Sequence, residues 1–397
     1  MDKTIPILYN SKTECCGCGA CLNACPRQAI SMQEDEAGFF YPQIDESRCI
    51  CCGKCKNVCA FQNKVEINFP IAVYAAISRD AEIRENSASG GVFAQLARMV
   101  LKSGGGVVGA AMQKDFRVQH ILIDCEKDLA GLQGSKYTES SIGLTFQETQ
   151  KILETGRNVL YSGTPCQIAG LYGFLGKDYG NLITIDLVCH GVPNNRMFQD
   201  YLACFSSKYG EAITDFRFRD KKLGWGINGS AETFDKKVKI WASASSYLFY
   251  FAKGWIYRPN CYHCKYTCCH RPADLTLGDY WGIEKQHPEY LGKGKWEESR
   301  GISLVIANTY KGAEVLKLAE SYLDLKGSTF EKVAAGNAQL CHPSSPGKRE
   351  EIVKLYCELG WEALEKRFQK NIGWRRYSSQ IKAMLPSWLR RFIKSLK

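Results

Sequence analysis

Two cysteine runs with the same spacing constrain this chain more than anything else in it. Cys15-x2-Cys18-x2-Cys21-x3-Cys25-Pro26 is followed by Cys49-x2-Cys52-x2-Cys55-x3-Cys59. A cubane iron–sulfur cluster needs four thiolates at tetrahedral corners. A loop with this spacing offers three, and the fourth cysteine of each run typically ligates the other cluster. The spacing therefore predicts two [4Fe–4S] clusters, one on Cys15, Cys18, Cys21 and Cys59, the other on Cys49, Cys52, Cys55 and Cys25. Gly17, Gly19 and Gly53 let the backbone turn closely around the sulfides, where amides stabilise negative sulfur. Zinc sites usually use two Cys-x2-Cys pairs, which does not explain a doubled four-cysteine run. Cys16 and Cys51 are extra thiols that leave some ambiguity of register.

Ten of the twenty cysteines lie between Cys15 and Cys59. A disulfide-stapled secreted protein fits poorly, because the opening MDKTIPILYN lacks the apolar run of a signal peptide and 397 residues need no staples. No stretch approaches eighteen uninterrupted apolar residues, so the expectation is a chain in a reducing cytoplasm without a membrane span. The formal charge of +11 suggests nucleic acid until it is located: residues 366–397 hold ten Lys and Arg and no acid, leaving the body near neutral. No nucleic-acid partner is expected.

Apolar runs and helical spacings alternate from Ala72 onward. Ala72–Ser78 reads as a buried strand, and Val92, Leu96, Ala97, Val100 and Leu101 fall at helical intervals that end at Gly104. Strand text returns near 107–112, 118–124, 158–162 and 182–188, with helices near 144–153 and 167–175. The predicted fold is α/β: a small ferredoxin-like domain over residues 1–65, a mixed-sheet body over 66–325, and a helical, basic tail over 326–397.

The cysteine runs resemble those of bacterial two-cluster ferredoxins, except that Ala60 stands where proline is usual after the last cysteine. Further islands follow: Ser87-Ala88-Ser89-Gly90-Gly91, Gly134-Ser135-Lys136-Tyr137, Gly163-Thr164-Pro165-Cys166-Gln167, Cys189-His190-Gly191, Cys261-x2-Cys264, and Arg271-Pro272-Ala273-Asp274 leading into Gly278-Asp279-Tyr280-Trp281-Gly282. In this order they resemble the beta subunit of coenzyme F420 hydrogenase/dehydrogenase. The resemblance implies an FAD-containing body, a third [4Fe–4S] cluster, and electron exchange between clusters and a two-electron carrier such as the deazaflavin F420. It puts the third cluster on Cys166, Cys189, Cys261 and Cys264, with Cys268, Cys269 and His190 as competitors. Cys125, Cys204, Cys341 and Cys357 read as packing residues.

For the flavin, the resemblance points to Ser87, Ser89, Gly90 and Gly91, which open a helix whose free amides suit a pyrophosphate, although the residues alone favour an ordinary turn and helix cap. Ser135, Lys136, Tyr137 and Thr164 are further candidate contacts, Lys136 as a point charge and Tyr137 as a stacking or bonding group. Arg271 either braces the cluster loop against Asp274 or Asp279, or bonds an anionic group of flavin or substrate. His190, beside Cys189, is the candidate proton relay and the one candidate catalytic residue. The expected function is an iron–sulfur flavin oxidoreductase exchanging hydride with a small substrate or deazaflavin-type carrier; the alternative is a non-catalytic relay subunit. Its partner is a redox protein or a small electron carrier. Pro386, Trp388, Leu389, Phe392, Ile393 and Leu396, opposed by Arg390, Arg391, Lys394 and Lys397, suggest either a peripheral helix on anionic lipid at the inner membrane face or a docked terminal helix.

Overall fold

The computed structural model describes residues 4–63, 67–292, 294, 296–385 and 389. The basic helix expected over 386–397 lies outside the described residues apart from Leu389. Among those described, no helix is long and apolar enough to cross a membrane.

The chain is mixed α/β. Its N-terminal segment pairs β1 (Ile30–Glu34) with β2 (Phe40–Ile44) in an antiparallel hairpin, Ile30 opposite Ile44. Two short helices, Ala20–Ala24 and Lys54–Asn57, flank it. The body is built on an eight-stranded sheet. Its strands are β3 (Ala72–Ser78), β4 (Gly106–Met112), β5 (Val118–Ile123), β6 (Val159–Gly163), β7 (Leu182–Leu187), β11 (Leu275–Asp279), β12 (Ser303–Ala307) and β13 (Leu323–Ser328). They run in the order β13-β3-β12-β11-β7-β6-β4-β5. The central strands β4, β6, β7 and β11 are parallel, and the outer pairings are antiparallel.

Consecutive residues of the central strands feed opposite cores, as buried strands require. Val107 and Leu160 join Val92, Leu96 and Leu316 on one face, whereas Val108, Val159 and Tyr161 join Phe146, Ile168 and Leu171 on the other. A separate, strongly aromatic core lies under a three-stranded sheet of β8 (Ile213–Arg217), β9 (Gly229–Thr233) and β10 (Lys237–Ile240). Helices Asn195–Tyr209 and Ser246–Ala252 pack there with the segment Arg349–Ile372, which Gly360 interrupts at φ 69°.

Helix Pro165–Leu175 positions the site. Thr164 and Gln167 close a capping box at its start and proline occupies its first turn, so its first residues are held firmly against the end of β6. Gly170 and Gly173, in its interior, each weaken the helix by about 1 kcal/mol relative to alanine. The reason is contact. A Cβ at Gly170 would sit 2.8 Å from Cys18 Sγ, and one at Gly173 would sit 2.4 Å from the Val58 carbonyl oxygen. The cysteine-rich segment is thus seated on the bare face of a body helix.

Candidate functional site

In the N-terminal segment Gly19 and Gly53, at φ 70° and 73°, occupy the left-handed region immediately before the two short helices. Those helices carry Cys21 and Cys55 and lead to Cys25 and Cys59, so the two cysteine runs repeat one local geometry. One hollow is walled by Cys15, Cys16, Cys18, Cys21, Cys55 and Cys59. A second is walled by Cys25, Cys49, Cys52 and Cys55. Each hollow takes a cysteine from both runs. Among the described residues no three or more Cys, His, Asp or Glu gather tightly enough for a single metal ion.

Backbone amides aim at the sulfurs. Ala29 N–H donates to Cys25 Sγ at 3.2 Å and Cys51 N–H to Cys49 Sγ at 3.4 Å. The amides of Gly17, Leu22 and Lys56 serve Cys15, Cys21 and Cys55. Burial, joined by repulsion from neighbouring thiolates, pushes the Cys15, Cys21 and Cys55 thiols up. Crowded thiols that resist joint ionisation, yet are supplied with N–H donors, form a donor set that a positively charged iron core satisfies.

The carboxyl ends of β6, β7 and β11 meet at one edge of the sheet, where ligands gather in α/β folds. Cys166 follows β6, Cys189 follows β7, and Asp279 ends β11. Cys261 and Cys264 arrive from the 3-10 turn Pro259–His263. Cys189 is within electrostatic reach of Cys166 and Cys264, and Cys261 of all three others. Burial first, then these neighbours, raises Cys189 to about 12 and Cys264 to about 11, and lifts Cys261 well above the ordinary thiol value. Gly191, Val192 and Tyr266 supply amide N–H donors to Cys189, Cys261 and Cys264. This pocket has the same chemistry as the N-terminal hollows. Cys16 reaches it from the N-terminal segment, its thiol hydrogen-bonded to both Cys166 and Cys18. Cys268 turns toward the carbonyls of Lys265 and His270, and Cys269 is partly exposed. Cys125, Cys341 and Cys357 are exposed, which corrects their reading as packing residues; Cys204 is half-buried.

The candidate flavin contacts divide. Gly90 is required by packing, since a Cβ there would lie 2.2 Å from the Ala76 carbonyl oxygen, and its N–H donates to Ser303 Oγ at 2.9 Å. Ser87 Oγ donates to the Ile83 carbonyl at 2.7 Å and so closes the preceding helix. Thr164 is occupied by its capping box and contacts Cys166 Sγ at 3.2 Å. Gly91, at φ 88°, opens helix Val92–Lys102 without any side-chain cap, leaving the first amides of that helix free of such a partner. Ser89 Oγ is buried and unpartnered.

A cluster of cations surrounds that turn. Arg84 is 4% exposed, and its Nε and Nη2 lack partners. Lys221 Nζ donates to the carbonyls of Ser89, at 2.5 Å, and Arg84. Burial, then Arg219 and Arg84, lowers Lys221 to about 7. Arg300 presses on Arg84 in the same sense, with Glu85 and Glu297 opposing it. Buried, mutually repelling cations beside an unpartnered hydroxyl and an uncapped helix start fit an anionic group such as a diphosphate. None of Arg84, Arg219 and Lys221 belongs to a motif readable by spacing.

Arg219 Nη1 pairs with Asp279 Oδ2 at 2.5 Å, and Asp279 Oδ1 accepts from Trp225 Nε1 at 2.8 Å. Trp225 stacks on Trp281 with ring centroids 4.6 Å apart. Tyr137 is hydrogen-bonded to Ser135 and Arg219 and stacks on Phe251. Ser135 and Tyr137 thus join the cation cluster through Arg219. Lys136 does not: it donates to the carbonyls of Gly131 and Gln133, and burial lowers it to about 7. His190 is exposed, next to Cys189 and within electrostatic reach of Asp279.

Arg271 is 1% exposed and pairs with Asp186, donating from Nε at 3.1 Å and Nη2 at 2.7 Å. It also donates to the carbonyls of Leu187 and Tyr266. These bonds favour bracing over ligand contact, and the brace is Asp186 rather than Asp274 or Asp279.

Comparison with known proteins follows this layout. A 4Fe-4S dicluster domain matches residues 14–63. The N-terminal part of the coenzyme F420 hydrogenase/dehydrogenase beta subunit matches residues 73–145 and its C-terminal part residues 156–331. No protein of curated function matches the sequence. Among solved structures, the F420-reducing [NiFe] hydrogenase complex from Methanosarcina barkeri is similar at 18% identity, over 77% of this chain and 91% of that one, with a TM-score of 0.47. With its cysteine-rich segment matched as a dicluster domain and both parts of the body matched in order, the chain belongs to the coenzyme F420 hydrogenase/dehydrogenase beta-subunit family and carries iron–sulfur clusters at its N-terminal end.

Proposed function

We propose that the chain is an iron–sulfur flavin oxidoreductase. In this reading Cys15, Cys18, Cys21 and Cys59 hold one cubane, Cys25, Cys49, Cys52 and Cys55 a second, and Cys166, Cys189, Cys261 and Cys264 a third. The observation that carries it is the seating of Cys18 and Val58 on Gly170 and Gly173 of helix Pro165–Leu175, whose second residue is Cys166. The contact of Cys16, in the first cysteine hollow, with Cys166 of the body supports a short path for one-electron transfer between them.

An FAD bound in the body supplies the interchange between hydride pairs and single electrons. The chain's own residues would hold and orient it. Arg84, Lys221 and Ser89, with the uncapped start of helix Val92–Lys102, neutralise a diphosphate. Trp225 and Trp281 offer apolar faces, fixed through Asp279 by the indole N–H and Arg219. His190 borders both Cys189 and Asp279 and is placed to move a proton between that edge and solvent. A small hydride donor or acceptor, of deazaflavin type or simpler, is the substrate class.

Anaerobic purification with iron, sulfide and flavin quantitation tests the proposal. Iron and sulfide for three cubanes with one flavin per chain support it. Two cubanes without flavin overturn the enzyme reading and leave a relay subunit.

A further inference from the structure

Arg258 belongs to none of the motifs, yet it touches both cysteine regions. Its backbone lies in the loop of the body's thiol pocket: its N–H donates to the Val192 carbonyl at 2.9 Å, and its own carbonyl accepts from Cys261 N–H at 3.0 Å. Its side chain runs the other way, into the N-terminal segment. Nε donates to the Cys15 carbonyl at 3.0 Å and Nη2 to the Phe40 carbonyl. The guanidinium lies 4.3 Å from the ring centroid of Tyr41. It fills the space that a side chain at residue 17 would need, with Cζ and Nη1 each 2.9 Å from the ideal Cβ position of Gly17. Its counter-charge is Glu139, whose Oε2 is 3.3 Å from Nη1 and whose Oε1 has no partner.

This cation is 1% exposed. The charges around the other N-terminal hollow, Arg27, Arg48, Lys54 and Lys56, are all exposed and screened by water and salt. A buried charge acts through a lower effective dielectric, so Arg258 outweighs any one of them at the sulfurs it faces.

We propose that Arg258 is a positioning residue for electron transfer, which docks the Cys15 loop against the Cys261 loop and holds the inner N-terminal cubane at a higher reduction potential than the outer one. The inference rests on the cluster assignment above. Each transfer moves one electron, reducing one cubane by one and oxidising its neighbour by one, with no bond made or broken at Arg258. A fixed positive charge stabilises the reduced, more negative state. The inner cubane therefore accepts electrons from the outer, and the docked loops keep it within reach of Cys166 and Cys261.

The test uses the full chain, purified anaerobically, with redox titrations followed by electron paramagnetic resonance. Arg258→Gln is expected to lower the midpoint of one N-terminal cluster and leave the other unmoved. Arg258→Lys, which keeps charge without the planar fork, restores part of the shift. Glu139→Gln, titrated at pH 8 where a carboxyl that burial raises to about 7 is ionised, removes the counter-charge and is expected to shift the same cluster upward. Unchanged midpoints in Arg258→Gln and Glu139→Gln, at wild-type iron and sulfide content, overturn the proposal. If Arg258→Gln loses iron, the decision passes to Arg258→Lys and Glu139→Gln: an upward shift confined to one cluster in Glu139→Gln supports it, and none refutes it. Wild-type protein without N-terminal clusters is a different failure, since it sinks the cluster assignment itself.

Discussion

Replacing Gly173 by alanine sets two calculable effects against each other. Inside a helix, alanine is favoured over glycine by about 1 kcal/mol. Against this, the new Cβ would sit 2.4 Å from the Val58 carbonyl oxygen, and that atom is backbone, so no side chain can swing aside. Ordinary contact begins at 3.4 Å, so the helix and the cysteine-rich segment must separate by about an ångström. Overpacking of this kind costs about 1–3 kcal/mol, leaving a net loss of about 0–2 kcal/mol after the helix gain. Gly131, in helix Leu129–Leu132, is the control, because nothing lies within 4 Å of its ideal Cβ. Gly131→Ala is expected to be neutral or stabilising by a few tenths of a kcal/mol. Urea unfolding under anaerobic conditions reads both variants, and magnetic coupling between clusters reads the separation. The expected pattern is a lower midpoint and weaker coupling in Gly173→Ala alone. If Gly173→Ala matched Gly131→Ala in both measurements, the segment would not be seated on this helix and the proposed electron route would lose its footing.

Removing charge from the cation cluster should uncouple stability from binding. Arg84→Met is expected to raise the melting temperature of flavin-free protein, because a buried guanidinium with two unpartnered nitrogens is costly, and to abolish the stabilisation that added pyrophosphate gives wild type; equal stabilisation of both proteins argues against an anion site. Breaking the Arg271–Asp186 pair leaves one buried charge alone, at about 3–5 kcal/mol. Arg271→Gln and Asp186→Asn should therefore both unfold early in urea, and a stably folded Arg271→Gln that merely loses flavin would make Arg271 a ligand contact instead. His120 is 5% exposed, with Nδ1 2.7 Å from Ser140 Oγ and Nε2 3.0 Å from the Ser162 carbonyl. Burial holds it neutral and lowers it from 6.5 to about 4. The unfolded chain then binds the extra proton between those values, so stability is complete above about pH 6.5 and falls by about 3 kcal/mol toward pH 4. His120→Gln should flatten that slope in near-ultraviolet circular dichroism melts, and an unchanged slope assigns the acid sensitivity elsewhere.

The parts of the molecule readable from sequence are those whose information is local. Strand Ala72–Ser78 is an uninterrupted small-apolar run, and helix Val92–Lys102 shows its buried stripe at regular spacing. Strands β4 to β7 and helices Thr145–Glu154 and Pro165–Leu175 lie within a residue or two of their expected places for the same reason. The cysteine runs are local too, because one tight loop presents three thiols. Other elements carry no such signature. Strand Leu323–Ser328 closely follows helix Tyr310–Leu318, and its alternation is blurred by Asp324 and Lys326. Strands Gly229–Thr233 and Lys237–Ile240 are short and largely polar, so their pairing is fixed by the aromatic core beneath them rather than by their own residues.

The same contrast separates the cofactor chemistry from the residues that tune it. Thiol ligands that share a loop leave a spacing, whereas a charge acting through space needs only to arrive. Arg84 and Lys221 meet around Ser89 across 137 residues, and Arg258 reaches Cys15 across 243. Each comes from a segment whose sequence, taken alone, suggests nothing beyond a solvated cation. What marks them is burial without an adequate counter-charge, which folding does not favour by itself. For Arg84 the proposed function supplies that partner as a bound anion. For Arg258 the partner is partly Glu139, and the remainder is the negative charge that gathers on iron-bound sulfur when an electron arrives. On the proposed assignments both cations act when more negative charge is present, and measurements on the loaded protein are where their effect should be sought.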